Sequence, residues 1–251
     1  MVAFRFAARL IVLIAALALP ISNQPVRAAE SLEDAHVLVL GRISDDPRAH
    51  YEQLKPLLDY VVPRMADVGI REGRILMARD VQQMNSYLRR GRVDWVTETA
   101  GTGMLLQQGS GATPLLLTER DGVSQYTTVF FARTELNIAT WVHKRLVDVG
   151  VMSNLDWQNP QRVPIAFRND LRIVHETPPY PRALEMVRGD LDPKIKARLR
   201  EVLVEAANDP DARDAMLRFF KTTRFLPLDA SDEAALRYIG GGVKRIRAEV
   251  E

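Results

Sequence analysis

Two stretches of the chain place polar, hydrogen-bonding residues directly after a short apolar run. One is Arg90-Gly91-Arg92-Val93-Asp94-Trp95-Val96-Thr97-Glu98-Thr99. The other is Lys144-Arg145-Leu146-Val147-Asp148-Val149-Gly150-Val151-Met152-Ser153-Asn154. Each has basic residues closing a helical pattern, then Val-Asp, then a partly β-branched run of strand length. In open α/β sheets ligands bind just beyond the carboxyl ends of such strands. Thr97, Glu98, Thr99, Ser153 and Asn154 therefore stand where a pocket would form, and the repetition implies a two-lobed binder. Taken singly, either copy also reads as ordinary strand-end turn residues.

Several residues near these tips carry usable chemistry. Thr99-Ala100-Gly101-Thr102-Gly103 precedes a short helical pattern over Met104 to Gln108. Glycines allow close backbone approach, and free N–H groups at a helix start favour negative charge. The run lacks the Gly-Lys-Ser/Thr ending of a P-loop, and a plain turn of small residues is the competing reading. Arg42 could neutralise an oxyanion or be a solvated surface group. Glu98 pulls the other way, since a carboxylate repels phosphate and suits an amine or a hydroxyl. Tyr126 offers a ring and a hydroxyl to close a pocket, or a cross-strand pair. Asp94 and Asp148 open their strands at the far end and read as caps or turn formers.

Catalysis finds little support. His36, His50, His143 and His175 are scattered, with no metal-ligand spacing. No Gly-x-Ser-x-Gly elbow is present, and helix capping accounts for Asp45-Asp46. The expectation is a non-enzyme without cofactor or metal. The chain has no cysteine, which excludes disulfides, thiolate chemistry and attachment of a lipid at a cysteine.

Residues 1–28 read as a cleavable secretory signal: Arg5 and Arg9, an unbroken apolar run from Leu10 to Leu19, then small residues around Ala28. As a helix that run covers about 15 Å, half a bilayer. The leader holds three arginines and no acid, so removing it turns a formal charge of +2 into 31 basic against 32 acidic residues. The basic balance belongs to the leader, and nothing argues for nucleic acid.

The elements that must position these groups follow in order. His36 to Gly41 reads as a strand, followed by a polar loop from Gly41 to Pro47. A helix over 48–67, capped by Asp45 or Asp46, bends near Pro63. Ile75 to Ala78 is a strand, Asp80 caps a helix to Arg90, and Val93 to Val96 is the third strand. This β-α-β-α-β order predicts parallel pairing. Leu115–Leu117 and Tyr126–Ala132 are further strands, joined by the charged turn Glu119-Arg120-Asp121-Gly122. Asn137–Arg145 reads as a helix, Leu171–Val174 as a strand and Thr177–Pro181 as a rigid connector. Helices are expected over 193–207, 210–222 and 232–246, with Asp209 and Ser231 as caps.

These pieces in this order resemble the PhnD-type periplasmic phosphate, phosphite and phosphonate binding proteins of ABC transporters, within the type II solute-binding superfamily. The matching residues are Gly41 with its Ser44 loop, Leu54-Lys55-Pro56-Leu57-Leu58-Asp59-Tyr60, Arg90 to Asp94, Pro114-Leu115 and Tyr126-Thr127-Thr128-Val129. Val147 to Gly150, Pro178-Pro179 and Phe225-Leu226-Pro227 complete them. The resemblance implies an α/β fold with one intact parallel-sheet lobe and a helical C-terminus. It implies a small oxyanion held in an interlobe cleft, and the candidates to line that cleft are Arg42, Ser44, Glu98, Thr99, Thr102, Tyr126, Ser153 and Asn154. It also implies a periplasmic monomer that docks on an inner-membrane permease. The family's Ser-Thr-Ser-Gly-like loop is missing: Phe130 to Arg133 runs almost directly into Glu135 to Ile138, so the second lobe is expected to be reduced. The expected organisation is lobe 1 over 30–130, a reduced lobe 2 with hinge crossings over 131–175, and a return to lobe 1 over 176–251. A ligand-presenting sensor or adaptor, and a truncated remnant that binds nothing, remain open beside the transporter reading.

Overall fold

The computed structural model describes residues 37–133, 149–169 and 171–250, with the side chains of 246–250 left aside. The expected leader, the helix over 137–145 and the Val147-Asp148 pair lie outside the described residues.

Strand β1 (Val37–Ile43) is followed by helix α1 (Pro47–Val61). Asp46 is the cap: its carboxylate accepts from the Ala49 N–H at 3.1 Å, with Pro47 in the first turn. Leu54, Leu57, Leu58 and Val61 bury one face of α1 at helical spacing. The helix passes into a 3-10 segment, Val62–Val68, which Gly69 ends in the left-handed region at φ 90°. Strand β2 (Glu72–Ala78) leads to helix α2 (Val81–Arg89), capped by Asp80 through the Gln83 N–H at 2.7 Å. Strand β3 (Trp95–Thr99) follows. β1 pairs in parallel with both β2 and β3, as the alternation of elements predicts.

Helix α3 (Ala100–Ser110) begins at once after β3, with Thr99 as its cap. The expected glycine-rich loop is therefore helical, and the helix is twice the expected length. Strand β4 (Thr113–Arg120) takes in Glu119 and Arg120, leaving Asp121 and Gly122, at φ 50° and 75°, to make the turn. The strand expected over 126–132 divides at Thr127 into β5 (Gln125–Tyr126) and β6 (Thr128–Arg133). Strand β7 (Gly150–Ser153), helix α4 (Asn154–Gln158), helix α5 (Ile165–Arg168) and strand β8 (Leu171–Glu176) come next. Strand β9 (Tyr180–Pro181) and strand β10 (Ala183–Val187) bring the chain back.

Helix α6 (Pro193–Glu205) is followed by a 3-10 turn over Pro210–Ala212, capped by Asp209. The helix expected to run on to Thr222 stops early. Helix α7 (Arg213–Arg218) breaks at Phe219, and Thr222 opens strand β11 (Thr222–Leu226). The last helix, α8 (Ala230–Val250), is capped by Asp229 rather than Ser231. Asp229 Oδ1 accepts from the N–H groups of Ser231 and Asp232 at 2.8 and 2.9 Å, so one carboxylate satisfies two first-turn donors.

The main sheet has the order β11-β4-β10-β3-β1-β2. It is mixed: β10 runs antiparallel between β3 and β4. Successive residues face opposite sides, with Trp95, Leu116 and Val187 in one apolar cluster and Val96, Leu117 and Met186 in the other. Helices α1 and α6 cover the first side, and α2, α3 and α8 the second.

A second sheet, β7-β6-β8, is antiparallel throughout. This corrects the expectation of parallel strand tips in both halves. The connecting chain enters along β6 and returns along β8, which forces opposite directions. Among the described residues the core under this sheet is small. Val129, Phe131, Val163 and Leu171 are buried, with Met152, Trp157 and Phe167 packed against them. The two sheets are joined by the pairing of β5 with β9.

Candidate functional site

The carboxyl ends of β1, β3 and β4 and the starts of β10 and β11 share one edge of the main sheet. This is the edge from which β5 and β9 lead to the second sheet. Arg42, one residue from the end of β1, turns back across β3. Its Nη1 donates to the Thr97 carbonyl at 2.7 Å and lies 3.1 Å from Glu98 Oε2. Glu98 is 4% exposed, and its other oxygen accepts from the Ile43 N–H at 3.0 Å. Burial pushes the Glu98 carboxyl up, and the Arg42 guanidinium and the Ile43 N–H hold it down. Glu98 thus braces an arginine.

Arg120, at the end of β4, is less well compensated than Arg42. Its Nη2 reaches Thr97 Oγ1 at only 3.4 Å, and its Nε is buried without a hydrogen-bond partner, as is that of Arg42. Burial lowers the Arg120 guanidinium to about 10, opposed by Glu185; the neighbouring positive charges of Arg42 and Arg182 lower it further. Arg182 leads into β10 and donates to the Arg120 carbonyl at 2.9 Å. Glu185, fully buried on β10, accepts from Trp95 Nε1 at 2.6 Å, Thr97 Oγ1 at 2.9 Å and Thr118 Oγ1 at 2.6 Å. Burial raises its carboxyl, against these hydrogen bonds and Arg120. Three guanidinium groups thus gather at the edge with two carboxylates among them.

Ser44 is buried beside this group, with its Oγ 2.6 Å from His50 Nδ1. Burial lowers the His50 imidazole, Arg42 lowers it further, and Asp45 and Asp46 oppose both. Thr99 and Thr102 cap α3 together, their hydroxyls 3.1 Å apart. Tyr126 packs its ring on Tyr180 across the β5–β9 pair, with centroids 4.8 Å apart. Burial raises its hydroxyl, and Arg182 and Arg120 partly offset this.

Ser153 and Asn154 belong to the second sheet. Ser153 caps α4 through the Asp156 N–H at 3.0 Å, and Asn154 Oδ1 accepts from the Thr127 N–H at 3.1 Å, pinning the crossing. Among the described residues no hydrogen bond joins them to Arg42 or Glu98. Asp94 lies at the opposite end of β3, where it accepts from the Val39 N–H at 2.9 Å and from Arg188 Nε at 2.8 Å.

The sequence does not single out Arg120, Arg182 or Glu185. Charged residues before Asp-Gly read as turn, although a strand continuing to the turn was a possible signal for Arg120. Among the described residues no cluster of His, Asp or Glu could hold a metal ion. Two cavities of about 500 and 430 Å³ lie elsewhere, between α3 and α8 and between α1 and α6, and share no residue with the strand-tip cluster.

A mixed main sheet with helices on both sides, joined by crossing strands to a smaller antiparallel sheet, is the fold shared with the type II periplasmic binding proteins. A family profile described as "ABC transporter, phosphonate, periplasmic substrate-binding protein" matches residues 136–232. The chain is similar to XAC2383 from Xanthomonas citri bound to chloride ion, at 46% identity over 85% of this chain and 99% of that one, with a TM-score of 0.76. The same protein bound to ATP matches at 45% identity over 86% and 100% of the two chains, with a TM-score of 0.77. PhnD1 from Prochlorococcus marinus, in complex with methylphosphonate, shares the fold at 14% identity, covering 84% and 99%, with a TM-score of 0.57. No curated protein sequence matches. The chain belongs to the phosphonate-type periplasmic substrate-binding proteins of ABC transporters.

Proposed function

We propose that the protein binds a small phosphate- or phosphonate-bearing anion between its lobes and presents it to an inner-membrane partner, the permease of an ABC transporter. The observation that carries this reading is the surplus of guanidinium over carboxylate at the strand tips: Arg42, Arg120 and Arg182 against Glu98 and Glu185. Guanidinium N–H edges match phosphoryl oxygens bidentately, and a half-buried setting strengthens each contact. The XAC2383 structures, bound to chloride and to ATP, support an anion of this kind.

Ser44, Thr99 and Thr102 offer hydroxyls from the main lobe, and Tyr126 borders the crossing. Glu98 holds Arg42 in place rather than touching the ligand. Ser153 and Asn154 would line the facing lobe. The crossings at Thr127 and at Thr177–Pro179 serve as the hinge. The Tyr180 hydroxyl bonded to Thr128 Oγ1, and Thr177 Oγ1 accepting from the Thr128 N–H at 2.9 Å, tie the two crossings together.

Isothermal titration of the mature protein with inorganic phosphate, methylphosphonate, pyrophosphate and ATP tests the reading. At least one should bind at micromolar Kd or tighter. Arg120→Gln should weaken it about 10- to 100-fold, the worth of one charge-assisted contact of about 1.5–3 kcal/mol. A folded protein that binds none of the four, or an Arg120→Gln variant that binds as the parent does, refutes it.

A further inference from the structure

Phe220 adopts a backbone that bulky residues avoid. Its φ is 53° and that of Lys221 is 56°, two consecutive non-glycine residues in the left-handed region. Such a pair persists only where its surroundings over-determine it. Here the Phe220 N–H donates to the Arg218 carbonyl at 2.8 Å, the Lys221 N–H to Leu217 at 2.9 Å, and the Asp121 N–H to the Lys221 carbonyl at 3.0 Å. The reversal sends neighbouring rings to different places. Phe219 is fully buried against Trp95 and Phe225. The Phe220 ring instead reaches the strand tips, where Arg42 and Arg120 both lie over it, at 5.1 and 4.6 Å from its centroid, and His50 packs at 5.8 Å.

Both of these guanidinium groups have an Nε buried without a partner, as does Arg168 away from the strand tips. A ring face attracts a cation without using any of its N–H groups. It can therefore hold a guanidinium in place and leave its donor edge free. Long side chains lose rotamer freedom when a ligand orders them, and that loss weakens binding unless the protein has ordered them beforehand. We propose that Phe220 is the positioning residue of the anion site. One ring seats both Arg42 and Arg120 before the ligand arrives, and the left-handed turn at Phe220-Lys221 is retained to deliver it. This role rests on the anion site proposed above.

The test titrates pyrophosphate into the parent protein and into Phe220→Leu, Phe220→Tyr and Arg120→Gln, with a thermal melt of each. Phe220→Leu keeps apolar bulk and removes the ring, and should weaken binding about 5- to 20-fold. Phe220→Tyr keeps the ring and should bind within about threefold of the parent. A filler of space predicts that affinity follows melting temperature across the variants, whereas a positioning residue predicts that affinity follows the ring. Removing the ring should cost less in the Arg120→Gln background than in the parent, because only Arg42 is then left for it to seat. A second measurement needs no variant: in the ligand-free parent, two arginine Nε–H signals should show ring-current shifts to high field by NMR. Parent-like affinity in Phe220→Leu, affinity that tracks melting temperature, or the absence of shifted arginine signals overturns the inference. If Arg120→Gln weakens binding and Phe220→Leu does not, the anion site stands and only the role of Phe220 falls. If the parent itself binds no phosphate compound, both fall together.

Discussion

Replacing Glu185 by leucine should be among the most damaging single changes in the main lobe. The carboxylate accepts from three side chains, Trp95 Nε1, Thr97 Oγ1 and Thr118 Oγ1, and faces the Arg120 guanidinium. The threonine hydroxyls can rotate toward other acceptors. The indole N–H is fixed by a ring that is 0% exposed. Leaving it unpaired costs about 1–3 kcal/mol, and removing one partner of a buried charge pair costs about 3–5 kcal/mol. The leucine side chain regains part of this through apolar contacts. A net loss of about 3–5 kcal/mol results, against a total of about 5–15 kcal/mol for a domain. In urea titration followed by tryptophan fluorescence, the midpoint should fall by about 2 M for a slope of ~2 kcal/mol/M. Glu185→Gln is the control. Its carbonyl can accept from Trp95 while its amide donates to the hydroxyls, so it should cost no more than about 2 kcal/mol. A leucine variant within about 1 kcal/mol of the parent would refute the assignment of Glu185 as the hub of the sheet.

Other expectations follow from single features. A Cβ at Gly150 would collide with the Phe131 ring in the small second core. Gly150→Ala should cost about 1–3 kcal/mol and speed hydrogen exchange in β6 and β8, with exchange in the main sheet unchanged. Asp94→Ala strips the Val39 N–H and Arg188 Nε of their acceptor and should lower stability by about 2–3 kcal/mol in the same urea titration. Phosphate binding should be unaffected, because Asp94 lies at the far end of β3. Arg224 holds the Glu119 carboxyl below its ordinary value of 4.5, with Thr223 adding to this. A depressed folded value contributes stability above the unfolded value and loses it as pH falls through the folded one. Glu119→Gln should flatten that acid-side loss by about 0.5 kcal/mol, small because Arg224 is over half exposed. Melting temperatures from about pH 6 down to about pH 3 would show it.

The local devices were legible in the sequence. Asp46 and Asp80 cap the helices the sequence assigns to them, because a cap depends on three or four neighbouring residues, whereas Asp209 caps only a short 3-10 turn. The parallel β-α-β start was legible for the same reason. Features decided at long range were not. The run from Ala100 to Gly103 read as a loop because of its glycines, yet it is helical. A Cβ on Gly103 would come 3.0 Å from Leu184 on β10, so the glycine serves close packing of helix on strand rather than a loop. Arg120 read as part of a turn because nothing nearby reveals that β10, more than sixty residues on, will place Glu185 beneath it. The left-handed pair at Phe220-Lys221 has no local signal, since neither residue type favours that backbone. Glu98 and Arg42 are both legible as polar groups at the strand tips, but only the structure shows that they pair with each other.

The position of β10 has a consequence for assembly. It lies inside the main sheet, with Ala183–Val187 bonded to β3 on one flank and β4 on the other. Until that strand docks, two long hydrogen-bonding edges stand open, each a template for another chain. A fragment ending before residue 183 would carry both exposed edges and should self-associate. The strand that closes the sheet is also anchored through β9 to the connector from the smaller lobe, so the larger unit becomes whole only after the chain has left it and come back.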